Sequence, residues 1–235
     1  YQVGKNKFER YSSDPYAEKS IGNNSVLSFV EDSKGNFWIG TDGGKTGGLH
    51  LFDFATDEKI DFPHDPLNEN SPPSDVVLRL KEDIEGNIWL GTYQGGVSKF
   101  NYSTNSYTHF SGFKYEPYSL ANDDVFGLYI DSTQKVWAGT NGGGSYTIDP
   151  KKNTVEHVDT FDKDLDTKAN HVRDFLEDED MFITTTGYGL VRLNSENNYL
   201  KYYTTYNSTN VSDVLHSIHK DKSGRIWVGT KGGGL

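Results

Sequence analysis

Carboxylates, histidines and a recurring tryptophan are the side chains with chemistry to offer, and their spacing limits what they can do. Asp32, Asp83, Asp131, Asp178 and Asp221 recur in register, each opening a short polar turn. A carboxylate repeated once per unit suits turn capping, where it accepts the turn amides. Acid–base work instead needs two carboxylates converging on one bond. The run Glu177-Asp178-Glu179-Asp180 lacks the spaced oxygen ligands and the glycine of a calcium loop, and reads as a solvated turn. The seven histidines (His50, His64, His109, His157, His171, His216 and His219) are scattered with no cysteine beside them, so no metal and no cofactor is expected. His216 and His219 fall on an expected innermost strand, either facing a central channel or held structurally by hydrogen bonds. There is no Gly-x-Ser-x-Gly nucleophile turn. The Gly-Thr-x-x-Gly-Gly loops lack the helix and the Lys-Ser/Thr pair of a phosphate cradle. No catalytic residue is therefore expected. A carbohydrate-active lyase or glycosidase stays open only by analogy with other chains of the expected fold.

The elements that would position these residues are written by a repeat. Phe37-Trp38-Ile39-Gly40-Thr41 returns as Ile88-Trp89-Leu90-Gly91-Thr92, as Val136-Trp137-Ala138-Gly139-Thr140 and as Ile226-Trp227-Val228-Gly229-Thr230. A worn copy, Met181-Phe182-Ile183-Thr184-Thr185, puts Phe182 where the others have Trp. The spacings are 51, 48, 45 and 45 residues, from Trp38 through Trp89, Trp137 and Phe182 to Trp227. Such a period marks a stacked or radial repeat. Around each copy lie an apolar run, a polar turn, the Trp strand, a glycine loop and two more short strands. Four antiparallel strands in so few residues make one propeller blade. The innermost run of the first blade, from Val26 to Val30, reads as a buried strand. The fold class is all-β: a β-propeller of four-stranded antiparallel blades with five blade-equivalents. Blades are expected at 21–69, 70–117, 118–166 and 167–206, a C-terminal half-blade at 1–20 and an N-terminal half-blade at 207–235. The two halves are complementary and are expected to close a ring within the chain; the alternative is a slice of a larger ring with open edges. Trp38, Trp89, Trp137, Phe182 and Trp227 are expected as the blade core, packed between neighbouring sheets.

Composition agrees with thin sheets on aromatic plates, since only 34% of residues are hydrophobic while 14% are aromatic. A formal net charge of −11 without a basic run gives no electrostatic footprint for nucleic acid. Residues 63–73 and 112–122 read as surface loops.

Function is expected where blades differ. The loops leading into the innermost strand and those after Gly-Thr should share one rim. They supply Asn24, Asp42, Asp75, Tyr93, Gln94, Asp124, Asn141, Asn170, His171, Tyr188, Asp213 and Lys231. Such side chains suit sugar hydroxyls, through paired hydrogen bonds and an aromatic platform.

The pattern Asp-x-x-Gly-Asn-x-Trp-x-Gly-Thr-x-x-Gly-Gly, after an apolar strand and before a Leu/Phe-Asp strand, resembles the two-component regulator propeller repeat. Residues 32–48, 83–96 and 221–234 carry it almost position for position. The third copy departs with Gln134-Lys135, and the fourth with Phe182 and Thr184. The resemblance implies the periplasmic sensor region of a hybrid two-component receptor in an inner membrane, recognising a glycan-derived ligand. Its implied partners are an oligosaccharide, the rest of the propeller, a β-sandwich and a histidine kinase of the parent chain, and a possible homodimer. The runner-up is a scaffold or dimerisation propeller without a ligand of its own.

Overall fold

The structure is a computed structural model that describes residues 11–12, 21, 23–44, 47–53, 56, 58–112, 120–159, 170–194, 196, 199–209 and 212–235. Four sheets have four antiparallel strands each, ordered as they occur in the chain. The first holds β1 (Val26–Glu31), β2 (Phe37–Thr41), β3 (Leu49–Asp53) and β4 (Glu58–Phe62). The second holds β5 (Val77–Glu82), β6 (Ile88–Thr92), β7 (Val97–Asn101) and β8 (Ser106–Phe110). The third holds β9 (Val125–Ile130), β10 (Val136–Thr140), β11 (Ser145–Asp149) and β12 (Thr154–Val158). The fourth holds β13 (Val172–Glu177), β14 (Met181–Thr185), β15 (Leu190–Leu193) and β16 (Leu200–Tyr203). A fifth sheet contains β17 (Leu215–Lys220) and β18 (Ile226–Thr230). These are propeller blades, as the repeat predicts.

Cores form between blades rather than within them. Trp38, Leu49 and Leu51 of the first sheet pack on Val77, Leu80, Ile88 and Leu90 of the second. Trp89 and Phe110 then meet Val125, Leu128, Val136 and Ala138. Trp137 and Tyr129 meet Val172, Phe175 and Ile183. The glycine of Trp-x-Gly-Thr permits this approach. A β-carbon on Gly139 would stand 2.5 Å from Cγ1 of Val172 in the next blade.

Each tryptophan is also pinned by its turn. The Nε1–H groups of Trp38, Trp89, Trp137 and Trp227 donate to Asp32, Asp83, Asp131 and Asp221 at 2.8–2.9 Å. The other oxygen of each Asp takes turn amides, as in Lys34 and Asn36 to Asp32. Turn capping is thus real, but the carboxylate also satisfies an indole that a wholly apolar packing would orphan. In the fourth blade Asp178 opens the turn as the other aspartates do, its amide donating to the Asp180 carbonyl at 2.9 Å, but among the described residues no turn amide or indole bonds its carboxylate. Phe182 has no N–H, and Arg192 from β15 lies over its ring and donates to Asp180. Asn194 donates to the other Asp180 oxygen at 2.9 Å, while Asp178 receives Lys220.

Two expectations need correction. The run at Val26–Val30 is not a buried strand: Val26 is 43% and Phe29 71% exposed. The matching residues Leu80, Leu128, Phe175 and Ile218 are all buried, because each faces the blade before it. Trp227 is likewise no core residue at 44% exposed, whereas Trp38 and Trp89 are fully buried. Trp137 and Phe182 are half-buried. The two faces that ring closure would cover are therefore open among the described residues, and β18 pairs there with β17 alone. Tyr11 and Ile21 do lie on this leading side, against Phe52 and Ile39. Residues 1–10 and 13–20, most of the half-blade expected at 1–20, lie outside the described residues. Of the two surface loops, Ser71 and Pro72 in 63–73 are buried, with the Ser71 hydroxyl bonded to Asp65 and Asn68 carbonyls. Residues 113–119 lie outside the described residues.

Candidate functional site at the channel mouth

The two ends of the blades are built differently. At the Asp-turn end, polar groups are consumed in register. Ser33 donates to Glu82 of the next blade, and Ser132 repeats this with Glu177. Gln134 holds a left-handed φ of 69°, more usual for glycine, and accepts the Ile84 amide. At the opposite end the Gly-Thr loops are locked by one device. Threonine hydroxyls of Thr92, Thr140, Thr185 and Thr230 donate to the carbonyls of Gly96, Gly144, Gly189 and Gly234.

These loops interlock with the loops entering the innermost strands. The amides of Asp42, Tyr93, Asn141, Thr186 and Lys231 donate to the carbonyls of Ser25, Val76, Asp124, His171 and Val214. Three of these loops also reach the following blade: Gly96 donates to Asp123, Gly144 to Asn170 and Gly189 to Asp213. The backbone of this rim is spent on itself, so its side chains are what remains for a ligand.

The predicted residues are spread along this rim, and two sets of them touch. Asn141 pairs with His171 as a β-bridge, and Asn141 Oδ1 lies 2.9 Å from His171 Nδ1. The Gln94 amide donates to Asp124 at 3.1 Å. Asn24, Asp42, Tyr93, Gln94 and Lys231 are exposed. Asp75, Asp124, Asn141, Asn170, His171, Tyr188 and Asp213 are half-buried. Asp213 is engaged by the amide and hydroxyl of Thr205 at 2.8 and 2.7 Å, which occupies both of its oxygens within the protein. Asn170 contributes its carbonyl to Gly142 and Gly144. The Tyr188 ring packs edge-on to Tyr202 at 6.3 Å.

Sequence reasoning missed a further ring of side chains. Every innermost strand carries a β-bulge near its start. The extra residue is Leu27, Leu78, Phe126, Arg173 or His216. A bulge re-aims a side chain out of the strict alternation, so period-two reading misassigns it. The only available signal was a charged pair, Arg173-Asp174, inside an otherwise apolar run. His216 proves exposed at its bulge, and His219 is exposed as well.

Arg173 joins this ring to the predicted face. Its Nε donates to Thr186 Oγ1 at 2.8 Å and its Nη2 to Asn141 Oδ1 at 3.3 Å. Its guanidinium lies 4.2 Å over the Phe126 ring. Deeper on the axis, a hollow of about 440 Å³ is lined by Leu27, Arg79, Lys81, Leu128 and Asp174 among others. Burial lowers the Arg79 guanidinium, with Asp174 opposing. Burial also lowers Arg173, and the charge of Arg79 adds to it. His216 is held below its ordinary value by burial and then by Arg173, Lys231 and Arg79. Burial raises the Asp174 carboxyl despite the amides of Ile218 and Phe175 that it accepts. Among the described residues there is no cluster of three metal-ligating side chains and no helix long and apolar enough to cross a membrane.

Solved structures place this architecture. The chain is similar to the extracellular domain of the hybrid two-component system BT3049 from B. thetaiotaomicron, with 22% identity and a TM-score of 0.75 over 91% of this chain and 28% of that one. It is similar to the extracellular domain of BT4673, described as a one-component system of the same organism, with 18% identity and a TM-score of 0.70 over 91% and 29%. It is also similar to PorZ, a surface component of the type-IX secretion system of Porphyromonas gingivalis, with 19% identity and a TM-score of 0.71 over 96% and 34%. The chain thus spans about a third or less of the length of these structures. No curated protein matches the sequence. The two-component regulator propeller model matches residues 20–43, 71–94 and 208–232, each covering an innermost strand or its approach, an Asp turn and a Trp strand. Three segments of this chain therefore match the two-component regulator propeller repeat.

Proposed function

We propose that this chain is a non-catalytic part of an extracytoplasmic sensor propeller, and that it binds a glycan-derived ligand at the rim where the Gly-Thr loops meet the innermost strands. One observation carries the reading: the Asp-turn end satisfies its polar groups in register, while the other end presents side chains that change from blade to blade. Leu27, Leu78, Phe126, Arg173 and His216 occupy one structural position with four kinds of side chain. Asn141, His171, Tyr188 and Lys231 border it with donors, acceptors and an aromatic edge, the groups that sugar hydroxyls and ring faces use. The repeat supports a place in the periplasmic region of a hybrid two-component receptor, which would pass the signal through a β-sandwich to a histidine kinase.

An oligosaccharide panel read by thermal shift, with product analysis alongside, tests this. Stabilisation without turnover, lost in Tyr188→Ala and Asn141→Ala, is the expected result. Turnover would make the protein an enzyme. A flat response at millimolar sugar would favour the scaffold reading, for which the exposed Phe29 and Trp227 faces supply contact surface.

A further inference from the structure

The described arginines of this acidic protein divide by position. Arg192 and Arg225 lie away from the axis and are ion-paired with Asp180 and Asp221. Arg79 on β5 and Arg173 on β13 lie on innermost strands and form no ion pair with any described residue. Arg79 donates only to its neighbour's carbonyl, Leu78 O, at 2.8 Å. Arg173 donates only to the neutral oxygens of Thr186 and Asn141. Lys231 and His216, which both act electrostatically on this region, make no side-chain bond to a described residue either. Desolvating a cation without an ion-pair partner is costly, and Arg79 and Arg173 are both half-buried in a chain with a formal net charge of −11. The carboxylate that opposes Arg79, Asp174, accepts the amides of Phe175 and Ile218 at 3.0 and 3.1 Å and is not within ion-pair distance of either arginine.

Arg173 is also held in one pose. Thr186 fixes Nε, Asn141 fixes Nη2, and the Phe126 face supports the plane. The second terminal nitrogen, Nη1, has no protein partner among the described residues. A guanidinium clamped on one edge and bare on the other presents a preorganised donor to a flat or trigonal anion. We propose that the channel mouth at Arg173, with His216 and Lys231 beside it, is an anion subsite that takes the carboxylate of a uronic acid or the sulfate of a sulfated sugar. The subsite deepens the glycan reading above and rests on it. Asn141 and His171 are placed to take hydroxyls of the same residue, and Arg79 adds positive potential from below.

The test compares three probes on the full chain by calorimetry: tetragalacturonate, a sulfated galactotetraose and neutral galactotetraose. The acidic probes are expected to bind roughly tenfold or more tightly than the neutral one, the discrimination a single charged hydrogen bond can give. Arg173→Gln is expected to abolish that preference, Arg173→Lys to keep part of it, and Arg225→Gln to leave it whole. The two acidic arms separate carboxylate from sulfate. Equal binding of all three probes, with Tyr188→Ala weakening them alike, would overturn the anion subsite while leaving the rim as a sugar site. Absence of binding by all three would overturn both. If Arg173→Gln lowers the melting temperature, the wild-type comparison of acidic and neutral probes still decides the matter.

Discussion

At the residue scale, Asp32, Asp83, Asp131 and Asp221 are each used twice, on a turn and on an indole. Asp32 shows the balance. Burial raises its carboxyl, but the bonds from Trp38 and Asn36 and from the backbone outweigh that and leave it below the usual range. Asp61 is lowered chiefly by its 2.6 Å bond to the buried His50, with Lys59 helping. A carboxylate depressed in the folded state stabilises at pH above its unfolded value, and that contribution disappears as pH falls through the folded value. The window for Asp61 therefore lies below about pH 4, where an ordinary aspartate titrates. Asp61→Asn should melt below the wild type at pH 7, and the gap should close between about pH 4 and pH 2. Melting curves across that range check it; a constant gap would show that the bond, not the charge, is what matters. Asp174 has the opposite sign, since its raised carboxyl favours the folded state as pH falls.

At the element scale, the inter-blade seam depends on glycine in the second strand. In the third blade a β-carbon on Gly139 meets Cγ1 and Cβ of Val172 at 2.5 and 2.9 Å and a Phe175 ring carbon at 3.0 Å. Overpacking of this kind costs about 1–3 kcal/mol. Gly139→Ala should lose stability in that range by urea denaturation, and Val172→Ala in the same chain should restore part of it. If the double variant is no better than the sum of the two singles, the seam is not where the clash acts. The worn fourth copy shows the converse, because Thr184 stands in the glycine position and donates back to the Asp174 carbonyl at 3.3 Å. These seams were legible in the sequence, since Trp, Gly and Thr repeat at fixed spacing and each has one structural use. The bulges were not. A bulge is a two-against-one mismatch between strands, and a single strand's pattern contains no record of its partner's count. Hence Asn141 and His171 were found from the sequence as loop residues, while Arg173 and Phe126 beside them were not. The pairing of Asp180 with Arg192 escaped for a related reason: Arg192 comes from a strand that the turn pattern does not include.

At the scale of the whole molecule, a residue's worth depends on its place around the axis. The five copies of the Trp strand are nearly alike in sequence, which is why all five were expected to be core. Burial is a property of the neighbouring sheet, however, and the sequence of one blade does not say whether that neighbour is present. Trp89 is fully buried between the second and third blades, stacked on Phe110 at 5.7 Å, and its Nε1–H reaches Asp83. Trp227 has the same bond to Asp221, yet it is 44% exposed at the open side of β17–β18. Removing the first leaves a large cavity and takes one bond from the Asp83 carboxylate; removing the second leaves surface that water already half occupies. Trp89→Ala should therefore cost about 3–5 kcal/mol and Trp227→Ala well under half of that, the difference between creating a cavity and trimming a surface. Urea denaturation of the two variants measures it. Equal losses would mean that Trp227 is covered in solution, as closure of the ring through residues 1–10 or contact with a second propeller surface would require.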